Sequence, residues 1–363
     1  MVADKYITID CDARSHAKLY HYWQEATDLL LPVLGENKIS VVQIGRKDDP
    51  PMSGAYDTRS QASLNQMAFI LNGSLLHLGV DNFTSDLAGY YQTKNVCLFS
   101  NSLPEQSKPY WNKKKNCIFL ESPKNGAKPS YAVVESPKTI NNIKPNEIAE
   151  AVCKLLDLKL NFNFDYEYVG EDYHSPKANL VPDSLLSNYG LPPMPISVRM
   201  DYLFNEQALA ANLQAAKLNI VTDRPIDPNI ITQLRKNIGE VAYLIDENHD
   251  PSFVKFLLTN GIGFQLVSLL DEEETQKIKL HYMDYGVILI RKKLTKQDVL
   301  GDLNKPLFYK SNKFILSNGK VFPSKPAWKR DIPTNSLAKQ VLPIIDDDDF
   351  WDDIGNYCIL SAK

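Results

Sequence analysis

Apolar positions in the first 160 residues fall into two alternating rhythms. Short runs such as KYITID (5–10), KISVVQI (38–44), SLLHLGV (74–80) and NVCLFS (95–100) read as buried strands. Between them, YHYWQEATDLLLPVL (20–34) places Tyr22, Ala26, Leu29, Leu30 and Val33 at helical spacing. SLNQMAFILNG (63–73) predicts a shorter helix stopped at Asn72-Gly73, and SDLAGYY predicts another. KPNEIAEAVCKLLDL (144–158) is strongly amphipathic, with Pro145 in its first turn. Strands alternating with helices predict a parallel, doubly wound α/β sheet.

Residues 161–195 break the rhythm with four tyrosines and five prolines and read as an irregular connector. A second alternation follows. Its predicted strands are ISVRMDY (196–202), KLNIVTD (217–223), EVAYLID (240–246), GFQLVSL (263–269) and YGVILIR (285–291). Predicted helices lie near 205–215, 227–237, 250–260 and 271–281. Two of these start on an Asp-Pro pair, Asp227-Pro228 and Asp250-Pro251, an N-cap followed by proline at the first helical position. After residue 293 the pattern changes to a hairpin around Asn318-Gly319 and a predicted terminal helix in DDDDFWDDIGNYCIL. The run Asp346 to Asp349 reads as a helix start with solvated carboxylates, with metal binding as the other reading. The expected division is therefore 1–160, a connector 161–195, a second Rossmann-like unit 196–293 and an extension 294–363.

Composition narrows the class. A chain of 363 residues with 44% hydrophobic and 23% charged side chains fits two globular domains. A net charge of −4 disfavours a protein whose whole surface grips nucleic acid. Five scattered cysteines show no metal spacing, and Cys97, Cys117 and Cys153 sit in apolar surroundings. The opening MVADKYITID lacks the features of a signal peptide, and no apolar stretch approaches a membrane span of about 20 residues. A reducing, cytoplasmic setting is the expectation. The histidines show no metal-ligand spacing, and His77 reads as a hydrogen-bonded core residue.

Ligands of open parallel sheets bind outside the carboxyl ends of strands. Three loops leave such ends in the first region: DCDARSHAKLY (10–20), GRKDDPPMSGAYDTRS (45–60) and DNFTSDLA (81–88). In the third, Asp81 and Asn82 end a strand while Thr84, Ser85 and Asp86 begin a helix, whose amino-terminal N–H groups suit a phosphate. Arg14 and Lys18 in the first loop supply cations for a diphosphate. The same residues also fit a plainer role, in which Asn82 or Thr84 caps the helix and Asp81 holds the turn.

Residues 1 to about 158 resemble the ADP-heptose:lipopolysaccharide heptosyltransferases, glycosyltransferase family nine. KLYHYWQEATDLL resembles the family's lysine-bearing segment ahead of a helix. YDTRSQASLNQMAFIL resembles its Asp-x-Arg-Gly-x-Thr-Ser-Leu stretch. LLHLGVDNFTSDLAGYYQTKNVCLFSNSLPEQSKPYW resembles its strand, donor loop and following strand, and IKPNEIAEAVCKLL its closing helix. The resemblance implies a GT-B protein of two Rossmann-like domains, here in permuted order, that binds a nucleotide-diphosphate sugar in an interdomain cleft. Transfer of the sugar to an acceptor hydroxyl follows, with no metal and no cofactor beyond the donor. It implies that Lys18 approaches the diphosphate, that Asp81, Asn82, Phe83 and Thr84 contact the sugar-phosphate region, and that Ser100 to Pro104 border the cleft. Asp201, at a strand end of the second region, is the positional candidate for the catalytic base, and a turn or cap role is its other reading. Phe83 stands where the family has glycine and Asp86 where it has histidine. Those departures frame the alternative, a catalytically inactive GT-B-like binding or assembly module. Expected partners are a nucleotide sugar, an unidentified acceptor and, through the C-terminal extension, further copies of the chain.

Overall fold

The computed structural model describes residues 4–11, 14–124, 126, 128–135, 138–283, 288–290, 294–334 and 339–363. The chain divides into two compact units. One runs through Val169 and takes in Leu360–Lys363; the other is Gly170–Ile359.

In the first unit the elements are β1 (Tyr6–Asp10), α1 (Trp23–Glu36), β2 (Ser40–Ile44), β3 (Ala55–Asp57), α2 (Leu64–Gly73) and β4 (Leu76–Val80). They continue with α3 (Phe83–Tyr90), β5 (Lys94–Phe99), α4 (Pro104–Ser107), β6 (Cys117–Glu121), α5 (Pro145–Leu156) and β7 (Phe164–Val169). Six strands form a parallel sheet in the order β3-β2-β1-β4-β5-β6. The order reverses between β1 and β4, which makes this a doubly wound sheet. Every residue of β1 and β4 is buried, because right-handed crossovers place helices over both faces. On one side Leu71 of α2 and Ala88 of α3 pack with Tyr6, Val42 and Ile44. Elsewhere α1 packs on α5, which lies over β4, β5 and β6. His77 is wholly buried in β4, its Nδ1 3.1 Å from the Thr8 hydroxyl. Burial pulls its pKa down to about 3, so the ring is neutral. Cys97 and Cys153 are buried as expected, but Cys117 is only half-buried, because β6 is the edge strand.

The second unit contains β8 (Lys177–Leu180), β9 (Ile196–Arg199), α6 (Glu206–Ala215), β10 (Leu218–Thr222), α7 (Pro228–Gln233), β11 (Ile238–Ile245) and α8 (Pro251–Thr259). Then come β12 (Phe264–Ser268), α9 (Glu272–His281), β13 (Ile288–Ile290), α10 (Lys296–Leu300), β14 (Leu307–Ser311), β15 (Lys313–Ser317) and β16 (Lys320–Phe322). α11 (Lys325–Lys329), β17 (Leu342–Pro343), α12 (Asp348–Asp352) and β18 (Tyr357–Ala362) complete the chain. Of the predicted strand 285–291, residues 285–287 and 291 lie outside the described residues. The main sheet has the order β13-β12-β11-β10-β9-β8-β15-β16. From β8 to β13 each strand enters beside its predecessor, parallel to it. The order then turns back between β8 and β15, which also pair in parallel, so this sheet, like the first, has the reversal that a doubly wound unit requires. Alternate strand residues, among them Val198, Ile220, Val241, Tyr243 and Leu266, share one core with Leu209, Leu213, Ile231, Phe253 and Leu257 of the helices. The residues between them, such as Ser197, Asn219 and Gln265, face away and are half-buried or exposed.

The boundaries differ from the sequence expectation for a related reason. The supposed connector contains β7 and β8, and β8 lies inside the second sheet beside β15, so neither 161–195 nor 294–363 stands apart. The hairpin expected at Asn318-Gly319 joins β15 to β16, with φ of 48° and 72° at the two turn residues. The predicted terminal helix is corrected to a single turn, α12, followed by the buried strand β18. The helix stops at Asp352, a 3₁₀ turn (Ile354–Asn356) follows, and the β-prone Tyr357-Cys358-Ile359-Leu360 then enters the core. The aspartate run serves the helix start. Asp347 accepts from the Asp349 N–H at 3.0 Å, Asp346 accepts from Trp351 Nε1 at 2.7 Å, and Asp349 pairs with Lys325 and Lys329.

Candidate functional site

The reversal between β1 and β4 opens a crevice at their carboxyl ends. The pocket there has a volume of about 530 Å³, within the range of small-molecule sites. Its wall is built from three chain segments. Asp10 ends β1 and is followed by Arg14, Ser15 and Lys18; Gly45 and Arg46 follow β2; Asp81, Asn82, Phe83 and Thr84 join β4 to α3. Leu64 and Met67 of α2 add an apolar side.

Two hydrogen-bond networks fix the floor. Asp10, buried at the end of β1, accepts through Oδ2 from Thr84 Oγ1 at 2.6 Å and Asn82 Nδ2 at 3.0 Å. Asn82 is also the N-cap of α3, its Oδ1 accepting from the N–H groups of Thr84 at 3.1 Å and Ser85 at 3.3 Å. In the second network Lys18 Nζ donates to Asp81 Oδ2 at 2.7 Å and to the Asp81 carbonyl at 3.0 Å. The same Oδ2 accepts from Ser102 at 2.9 Å and Ser107 at 3.3 Å. Among the described residues, Asp81 Oδ1 is buried with no hydrogen-bond partner.

The loop after β2 is held from within. Asp49 Oδ2 accepts from the Arg46 N–H, and Arg59 is clamped on Asp57 while donating to the Asp49 carbonyl. That clamp pulls the Asp57 carboxyl down to about 2. Gly45 has φ of +130°, and a β-carbon there would lie 2.5 Å from Asp49 Oδ2 and 3.2 Å from Asp10 Oδ1. Only glycine lets the loop turn this close to the carboxylates. Arg46 is thereby left half-exposed at the pocket.

Several expected residues meet here: Arg14, Lys18, Asp81, Asn82, Phe83 and Thr84 all line the pocket. Others do not. Ser85 is buried beneath it, donating to the Val80 carbonyl, and Ser100 donates to the Ala17 carbonyl. Asp86 is exposed outside the lining; its carboxyl is held above the usual range by desolvation and the Asp81 charge, with Lys18 opposing. Two expected roles are altered by the pairing. Lys18 is neutralised by Asp81, and two of the helix N–H groups expected to be unpaired are taken by the Asn82 cap. Asp201 lies in the second unit, where Arg199 grips both its oxygens at 2.7 and 2.5 Å and burial lets little water compete. Asp10, Gly45 and Arg46 are the residues that sequence reasoning did not single out. Their only signal was position, at the ends of the two strands flanking the crevice and just after.

Solved structures similar to this chain include glycosyltransferases of family 9, and the likeness extends over about 42% of it. The family 9 glycosyltransferase from Veillonella parvula DSM 2008 is 17% identical, with a TM-score of 0.34, covering 42% of this chain and 46% of that one. E. coli ADP-heptose LPS heptosyltransferase II is 15% identical, with a TM-score of 0.34 and coverages of 43% and 47%. E. coli heptosyltransferase WaaC, solved with ADP, is 15% identical, with a TM-score of 0.32 and coverages of 42% and 45%. The chain thus spans less than half the length of each. No protein-family model matches it, and no curated protein matches it. At such identities and TM-scores the likeness assigns no activity, and function has to be argued from the pocket. No helix among the described residues is long and apolar enough to cross a membrane.

Proposed function

We propose that the first unit binds the diphosphate of a nucleotide sugar in the β1/β4 crevice, and that the protein is a glycosyltransferase-like enzyme. The observation carrying this reading is the convergence of Arg14, Arg46 and the start of α3 on one pocket at the strand-order reversal. Guanidinium groups suit phosphate oxygens, and the buried Asp10 and Asn82 give the pocket a polar floor suited to hydroxyl-rich ligands. The sequence resemblance of residues 1–158 to family nine supports the same assignment. In transfer to an acceptor hydroxyl, the departing diphosphate gathers charge, which preorganised cations stabilise. Asp201, held by Arg199, acts in this reading as a structural partner and not as the base.

The test is a thermal-shift screen with ADP-, GDP-, UDP-, CMP- and dTDP-sugars, followed by assay of sugar release. A ligand at a hundred times its dissociation constant stabilises the fold by about 2.7 kcal/mol. One nucleotide class is expected to shift the transition, and Arg14→Ala and Arg46→Ala to reduce that shift. Binding without sugar release under any acceptor would leave a nucleotide-binding module. Absence of any shift from folded protein would overturn the pocket assignment.

A further inference from the structure

Between β5 and β6 the chain leaves α4 and runs through Lys108-Pro109-Tyr110-Trp111-Asn112-Lys113-Lys114-Lys115. Tyr110 is 87% exposed and Trp111 54%; Tyr90, at the end of α3, joins them at 59%. Trp111 meets Tyr90 and Tyr110 nearly at right angles, with ring centroids 5.8 Å apart in both pairs. This exposure does not come from a loose loop. Gln92 Nε2 donates to the Trp111 carbonyl and Asn116 Nδ2 to the Gln92 carbonyl. The loop lies so close to α3 that a β-carbon on Gly89 would sit 2.2 Å from Asn112 Oδ1. The fold therefore mounts the rings on its surface and holds them there.

The same edge is cationic. Residues 108–115 carry four lysines and no carboxylate, in a chain whose net charge is −4. Lys108, Lys113, Lys114 and Lys115 are exposed.

We propose that this edge docks the protein on an anionic phospholipid bilayer. Tryptophan and tyrosine favour the boundary between water and acyl chains, and lysines are drawn to anionic headgroups. Single-stranded nucleic acid also uses cations and rings, but it stacks bases on open ring faces. Here the rings pack edge to face against one another, and each right-angled contact occupies a ring face. The proposal does not depend on what the crevice binds.

Co-sedimentation of the full chain with vesicles tests it, at low salt, using phosphatidylglycerol-containing vesicles and pure phosphatidylcholine vesicles. Binding is expected to the anionic vesicles and to vanish at high salt, with a blue shift of Trp111 emission that Trp111→Phe abolishes. Replacing Lys113, Lys114 and Lys115 together by alanine should weaken binding about a hundredfold, roughly fivefold per lysine. Trp111→Ala should weaken it as well, and unchanged melting would show that both variants fold. The proposal is overturned by absence of vesicle binding, by binding that neither variant alters, or by lysine-dependent binding to a single-stranded oligonucleotide without vesicle binding.

Discussion

In the first sheet the strand order turns back between β1 and β4, and the loops leaving those strands part to admit a pocket. In the second, the order turns back between β8 and β15, while β8 to β13 advance in one direction and each strand-end loop passes straight to its neighbour. The two sheets are made of similar strands, yet their terminal aspartates fare differently. Asp10 and Asp81 line a cavity. Asp201 is gripped by Arg199, Asp223 pairs with Arg224, and Asp246 accepts from the Asn248 N–H. A carboxylate at the end of a parallel strand is thus a poor sign of a site until the order of the strands is known.

The contrast can be broken by substitution, starting with burial. Leu78 in β4 is wholly buried, so Leu78→Ala should cost about 3 kcal/mol in denaturant melts. Leu289 in β13 is 47% exposed, and Leu289→Ala should cost no more than about 0.5 kcal/mol. Equal losses would mean that the outer face of the second sheet is covered in solution. Next in size is Asp201→Asn, which leaves the Arg199 guanidinium without its charged partner and should lower stability by about 2 kcal/mol. A loss of sugar transfer with unchanged stability would instead restore Asp201 as the base.

Acid sharpens the comparison, because His77 belongs to the first sheet. The folded protein keeps it neutral to about pH 3, whereas the ordinary ring protonates near 6.5. Between those values the unfolded chain binds a proton that the folded one refuses. Stability should therefore fall with falling pH, by about 1.4 kcal/mol per unit from this group. Urea melts at successive pH values should show a shallower dependence in His77→Gln. The smallest effect is expected at the cap. Asn82→Ala removes the acceptor for two α3 N–H groups and a donor to Asp10, costing about 1 kcal/mol. It also uncovers those N–H groups, so any change in nucleotide affinity would report on the crevice.

Much of this was legible locally. Asp227-Pro228 and Asp250-Pro251 start α7 and α8 as their spacing predicts, and Asn318-Gly319 makes its hairpin, because caps and turns are encoded within a few residues. Short strands were harder. β3, β7 and β8 have no apolar run long enough to announce them, and β8 becomes a strand only because β9 and β15 flank it. Strand order was not legible at all, since periodicity says which face is buried and nothing about which neighbour is met. The site divides in the same way. The loop 81–86 was visible from its composition. The Lys18–Asp81 pair, the acceptor role of Asp10 and the placing of Arg46 each join residues far apart in sequence or depend on a backbone turn.

The one-way run from β9 to β13 in the second sheet bears on how long it can be. β9 to β13 begin at residues 196, 218, 238, 264 and 288, each start one strand and one helix after the last. Removing or adding such a step would leave every remaining strand with the same kind of neighbour, as in a stair with one tread fewer or more. The reversal in the first sheet has no such freedom, because a strand inserted between β1 and β4 would part the two ends that make the crevice. Width is therefore adjustable along a one-way run and fixed where the order turns back.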